Sequence, residues 1–402
     1  MQGLSPSHSR DREGACLAYR PDEAWPFYAE DEIEAVARVL RSGKVNQWTG
    51  PDVFAFQDAC TARFGGGHGL ALTNGSVALE IALRAFDFGP GDEVIVTPRT
   101  FVASASCVRL VGATPVFADV DPDSGNITAE TIEAVVSERT RAIIPVHLAG
   151  WPCDMPAIMA VAAARGIRVV EDCAQAHGAE VDGRSVGSFG DAAAFSFCQD
   201  KIISTAGEGG FTSFKDRDAW EWAWSFKDHG KNRAKVEAPA TGTGFRWLHD
   251  GIGTNWRLTG PQAALGLVQL GKLDGWIEAR ARNAAIWRSA LADVPGLRLP
   301  MPGPRFRHSF YKLNFYVEGD DPAPRRDALL RRAAEEGIRL FSGSCSEVYL
   351  EGAFADMEKP DLPNARRLTG ASLMVEVHPT LRPDLTERRA VRLAEIAREV
   401  LG

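Results

Sequence analysis

Three short stretches of this chain carry residues that could do chemistry together. The first is "FSFCQDKIISTAGEGG", Phe195 to Gly210, where an apolar run ends in a single lysine, Lys201. The chain holds nine lysines among 45 lysine and arginine residues, and none lies between Lys44 and Lys201. Arginine replaces lysine freely on a surface but not where the amine must lose its proton. A lone lysine is more often solvated, so Lys201 counts as a nucleophile only through its neighbours. The second stretch, "VVEDCAQAHGA", ends an apolar run in Glu171 and Asp172. A lone acid there is more often a cap or turn residue. The third, "LTNGS", leaves an apolar run through Asn74, Gly75 and Ser76. This is an ordinary turn by itself, yet free N–H groups at a helix start also seat phosphate.

These stretches need elements to hold them. "GLALTN" reads as a short buried strand and "SVALEIALRAF" as the helix after it. "EVIVTP", "TPVFADV", "RAIIPVHL" and "IRVVED" read as further strands, with helices such as "TAETIEAVVSE" and "MPAIMAVAAARG" between them. Alternating strands and helices predict an α/β fold with a parallel sheet wrapped by helices. In such sheets ligands sit at the carboxyl ends of strands, where the three stretches fall. Beyond about residue 250 the pattern changes. Two long helical stretches run from about Pro261 to Leu291, then come short strands in "YKLNFYV" and "SLMVEV" and a closing amphipathic helix. The expected organisation is a tail over residues 1–20, a large domain over 21–260 and a smaller α+β domain over 261–402.

Composition narrows the function. A net charge of −8 with mixed signs argues against a nucleic-acid surface. Seven scattered cysteines without a Cys-x-x-Cys pair fit free thiols in a reducing compartment, and no metal site is visible. No apolar run reaches membrane length and the first twenty residues lack a signal-peptide core, so a cytoplasmic protein is expected. "FGGGHG" precedes a strand rather than following one, which removes the main support for a nicotinamide site.

A phosphate seat, an acid at a strand end and an isolated lysine meet the needs of pyridoxal 5′-phosphate. The lysine forms a Schiff base with the aldehyde, and the acid keeps the ring nitrogen protonated. With "NGSVALEIAL", "GPGDEVIVTPRTFVASA", "GATPVFADVD", "EDCAQAHGA", the lysine stretch and "TNWRLTGPQAALGLVQL" in order, the chain resembles the DegT/DnrJ/EryC1/StrS sugar aminotransferases from about Trp25 onward. The resemblance implies the aspartate aminotransferase-like fold (fold type I), a mixed but mostly parallel sheet, and a homodimer with shared active sites. It implies Lys201 as the Schiff-base lysine, Asp172 on the pyridine nitrogen and Gln175 on the ring hydroxyl. Gly75, Ser76 and Ser196 match the phosphate seat, and Phe101 the stacking ring. Asn255 matches an asparagine that reaches the phosphate from the neighbouring subunit. Gly260-Pro261 departs from the acidic residue common at that helix start.

The implied reaction is transamination in two halves. An amino donor, glutamate or glutamine, leaves the cofactor in its pyridoxamine form, and a keto sugar then takes the amine. A nucleotide-linked sugar needs cations for its diphosphate. Lys227, His229, Lys231, Arg233 and Lys235 in "FKDHGKNRAK" either supply that grip or form a solvated loop. His308 and Tyr311 are candidates for the same mouth, with a core histidine the alternative for His308. Keto cyclitols, free sugar acids, a dehydratase branch with histidine in place of the lysine, and a non-catalytic module remain the alternatives.

Overall fold

The computed structural model describes residues 17, 19–239, 244–344 and 347–402. Most of the expected tail, including Cys16, lies outside them, as do Cys345 and the middle of the loop at Val236–Trp247. In chain order the first nine strands are β1 (His68–Leu72), β2 (Glu93–Val96), β3 (Thr114–Phe117), β4 (Thr140–Ile144), β5 (Arg168–Asp172), β6 (Glu180–Val181), β7 (Arg184–Ser185), β8 (Ala192–Ser196) and β9 (Gly210–Phe214). Seven of them form one sheet in the order β1-β9-β8-β5-β4-β2-β3. Only β9 runs against its neighbours; the other pairs are parallel. Every residue of β2 and β8 is buried between the helices, which is why both read as largely apolar runs.

Four further short strands follow: β10 (Leu297–Arg298), β11 (Phe306–Arg307), β12 (Leu313–Val317) and β13 (Ser372–Val375). β10, β12 and β13 make an antiparallel sheet, and β11 joins the β6–β7 hairpin. The apolar residues form two clusters. One surrounds the large sheet, and the other packs Trp287, Leu291, Phe315, Val375 and Leu393 around the small one. The architecture is α/β with a mostly parallel sheet, as the sequence predicts.

Two expectations change. The stretch from Pro261 to Leu291 is not two helices but one of 32 residues, Gly260–Leu291, roughly 48 Å long at 1.5 Å per residue. Gly271 and Gly275 lie inside it with open space around them. A glycine there weakens a helix by about 1 kcal/mol without breaking its hydrogen bonds. The part up to Ile277 buries Ala263, Leu273 and Ile277 in the first core, and the part from Ala284 buries Ala284, Trp287 and Leu291 in the other. A boundary at residue 261 therefore falls inside the first core. The chain's beginning also differs. Leu17 packs against the second core, and Glu23 is ion-paired with Arg389 of the closing helix Pro383–Leu401.

Candidate active site

The carboxyl ends of β1, β2, β4, β5 and β8 share one edge of the sheet, and a cavity of about 990 Å³ opens there. Asp172 ends β5 and is buried. Its Oδ2 accepts from Ser104 Oγ at 2.7 Å and its Oδ1 from the Ala174 N–H at 3.1 Å. Burial pushes its pKa up, and Ser104, Ala174 and the charge of Lys201 pull against this without overcoming it. Glu171, one residue earlier, faces the other side of the sheet. There it accepts from the N–H groups of Gly187, Phe189 and Gly190 at 2.6–2.8 Å, a structural assignment. Asp172 thus has hydrogen bonds but, among the described residues, no ion-paired cation.

The anion seat forms where β1 meets the helix Gly75–Ala85. Asn74 caps that helix, its Oδ1 accepting from the Val77 N–H at 3.0 Å. A Cβ on Gly75 would come within 2.6 Å of Ser196 Cβ, so glycine alone lets the helix start against the end of β8. The Gly75 and Ser76 N–H groups have no carbonyl partner inside the helix, and both residues line the cavity beside Ser196. Gln175 Oε1 accepts from the Ala149 N–H at 2.7 Å, which leaves its amide nitrogen for the cavity. Phe101 is 64% exposed on the cavity wall, its ring without an aromatic partner among the described residues.

Lys201 lies in the turn after β8. The Trp25 indole donates to its carbonyl at 2.9 Å, and its own N–H donates to Cys198 O at 3.1 Å. Its side chain is only 14% exposed, with Nζ 4.0 Å from Asp200 Oδ1 and 5.0 Å from the centre of the Tyr311 ring. Tyr311 donates its hydroxyl to Asp200 and lines the cavity.

Seven sequence candidates lie elsewhere in this chain. Lys227 is buried, its Nζ donating to Gln47 Oε1 at 3.0 Å, and burial lowers its pKa to about 8. Lys231 donates to Asp228 at 3.0 Å and lies 4.2 Å over Trp48, while His229 packs beside His249. Arg233 and Lys235 are paired with Glu221, Glu237 and Asp250. The basic run does not line the cavity, because each cation of it already has an acceptor. His308 stacks on Phe310, accepts its N–H at 2.8 Å and lines a separate small cavity; burial holds its pKa near 3. Asn255 is exposed and does not line its own chain's cavity.

The sequence reading missed Ser104, Asp200, Lys312, Asn314 and Glu376, all of which line the cavity. The signal for the last three was the alternation of polar and apolar residues in "YKLNFYV" and "SLMVEV".

An amine and a buried acid facing one cavity, with a helix start for an anion, on a mostly parallel sheet, define an aminotransferase type of site. The chain belongs to the DegT/DnrJ/EryC1/StrS aminotransferase family, which it matches over residues 26–392. It is 36% identical over 334 residues to the UDP-N-acetyl-3-dehydro-alpha-D-glucosamine 3-aminotransferase of Acidithiobacillus ferrooxidans, covering 83% of this chain and 84% of that one. It is 38% identical over 286 residues to the GDP-perosamine synthase of Caulobacter vibrioides, covering 71% and 72%. Its fold matches the X-ray structure of the aminotransferase from Psychrobacter cryohalolentis with a TM-score of 0.89 and 46% identity, over 92% of this chain and 97% of that one.

Proposed function

We propose that this aminotransferase uses pyridoxal 5′-phosphate to move an amino group from glutamate or glutamine to a nucleotide-linked keto sugar. The observation that carries the reading is the convergence of Lys201, Asp172 and the Gly75–Ser76 helix start on one cavity. The residues fit the cofactor. Asp172 is a buried acid short of a cation, and a protonated ring nitrogen supplies one, which offsets the burial that raises its pKa. The helix start at Gly75 and the Ser196 hydroxyl fit the phosphate, the Gln175 amide the ring hydroxyl, and the open face of Phe101 the ring plane. When bound, the cofactor supplies an electron sink for charge at the substrate carbon. Lys201 Nζ would hold the cofactor, and as a free amine beside the substrate carbon it would take up and deliver a proton there. A lysine here rather than a histidine favours amination over dehydration.

The substrate class follows the relatives, whose names specify a UDP-linked and a GDP-linked sugar system. Two copies sharing their sites fit the position of Asn255. It lies exposed on the segment that also presents Phe245, Trp247 and Ile252 at 80%, 81% and 95% exposure. The protein as purified is expected to be yellow and to change its visible absorbance when glutamate is added. Lys201→Ala is expected to lose both responses and at least about 10³-fold in turnover. Full activity in that variant would refute the assignment. A panel of nucleotide-linked keto sugars with glutamate as donor then identifies the acceptor.

A further inference from the structure

The small sheet turns one face to its own core and the other to the cavity. Leu313 and Phe315 of β12 are buried in the second core, whereas Lys312 and Asn314 line the cavity. β13 pairs with β12 so that Leu313 lies opposite Val375 and Asn314 opposite Met374. Met374 and Glu376 accordingly face the cavity too. The large sheet thus contributes Lys201 to this space and the small sheet contributes Lys312.

Both amines lie over one ring. Lys201 Nζ is 5.0 Å and Lys312 Nζ 5.3 Å from the centre of Tyr311. Their separation cannot exceed those two distances together. Lys312 Nζ is 3.4 Å from Glu376 Oε1, and the same carboxylate lies 3.5 Å from Arg339 and 3.8 Å from His378. An ammonium carries three donors, so this one long contact leaves Lys312 two to offer. Lys201 and Lys312 are the only lysine or arginine side chains on the cavity wall among the described residues, and the chemistry engages the first. Asn314, whose Oδ1 is buried without a hydrogen-bond partner among the described residues, lines both this cavity and the small one beside His308.

We propose that Lys312 binds a carboxylate of the amino donor and thereby selects an amino acid for the first half of the reaction. The inference rests on the transaminase reading, and its test separates the two. Glutarate, a dicarboxylate without an amine, is titrated into the protein by calorimetry, which needs neither turnover nor a coloured cofactor. The wild type binds it. Lys312→Ala and Lys312→Gln weaken that binding by about tenfold or more, and Lys312→Arg stays within about threefold. Half-saturation by glutamate rises by the same factor in Lys312→Ala while the saturated rate changes little. Glu376→Gln frees the ammonium and keeps or tightens glutarate binding. A wild type that does not bind glutarate overturns the proposal, as does unchanged binding in Lys312→Ala. Equal loss in Lys312→Ala and Glu376→Gln also overturns it, since the pair is then only a structural bridge. A wild type that binds glutarate in this pattern but shows no spectral response to glutamate rejects the transaminase reading alone.

Discussion

At the residue scale, Asp172 is the group whose environment makes its role most testable. It is buried with its pKa raised, and among the described residues Ser104 and the Ala174 N–H are the donors to its carboxylate. Asp172→Asn keeps the shape and can still bond Ser104, but on the proposed reading it removes the charge that would hold a ring nitrogen protonated. The phosphate seat at Gly75 and the face of Phe101 are untouched by the change. Cofactor affinity is therefore expected to fall by less than about tenfold, measured by absorbance titration, while turnover falls by about 10²-fold or more. Equal changes in the two quantities, or none in either, would remove the pairing. Lys201 and Asp172 were legible in the sequence because a rare lysine and an acid ending an apolar run are local signals. Ser104, which holds the acid from a different strand-to-helix connection, is an ordinary serine in "FVASAS" and left no such trace.

At the element scale, periodicity exposed the strands but not their partners. The alternation of "YKLNFYV" and "SLMVEV" predicted strands correctly, yet a pattern of period two does not say which face meets a cavity and which meets a core. The basic run from Lys227 to Lys235 is a related case. Its acceptors include Gln47, 180 residues away, so a count of charges saw cations and not their pairing. The docking of the N-terminal segment was hidden in the same way. Glu23 is fully buried, and Arg389 donates to its two oxygens at 2.7 and 2.8 Å. The Arg20 and Arg382 N–H groups add further bonds. Burial alone pushes this carboxyl's pKa up. The bonds from Arg389 and the two backbone groups outweigh that and bring it from 4.5 to about 2. A carboxylate with a depressed folded pKa contributes stability that is present above the unfolded value and lost as pH falls through the folded one. Glu23→Gln is expected to cost about 3 kcal/mol at pH 7, measured by urea unfolding. The gap to wild type narrows as pH falls from 4.5 toward 2. A gap that stays constant across this window would show that the pair's charge does not contribute.

At the scale of the whole molecule, the site depends on two cores held in register by one long helix, and the proposed sharing of sites between two copies adds a further dependence. Helix Gly260–Leu291 contributes to both cores. The loop holding Lys201 is tied to it, since Gln269 Oε1 accepts from the Ser204 N–H at 2.8 Å. Asn255 shows the limit of the single chain. Its segment is anchored from behind, where Asp228 accepts from Trp48, Lys231 and Arg257 at 2.6–3.0 Å. It is nonetheless exposed and absent from its own cavity wall, next to an apolar surface that a monomer would leave in water. The family resemblance made Asn255 legible in the sequence, but no local pattern could tell which copy's cavity it serves. Co-expressing Lys201→Ala with Asn255→Ala chains decides this. In a mixed pair with shared sites, one site carries both changes and the other carries neither. Random pairing makes half the dimers mixed, each with one intact site, so about a quarter of wild-type activity is expected from two nearly inactive parents. If Asn255 served its own chain, both sites of every mixed pair would stay damaged and the mixture would show only the mean of its parents.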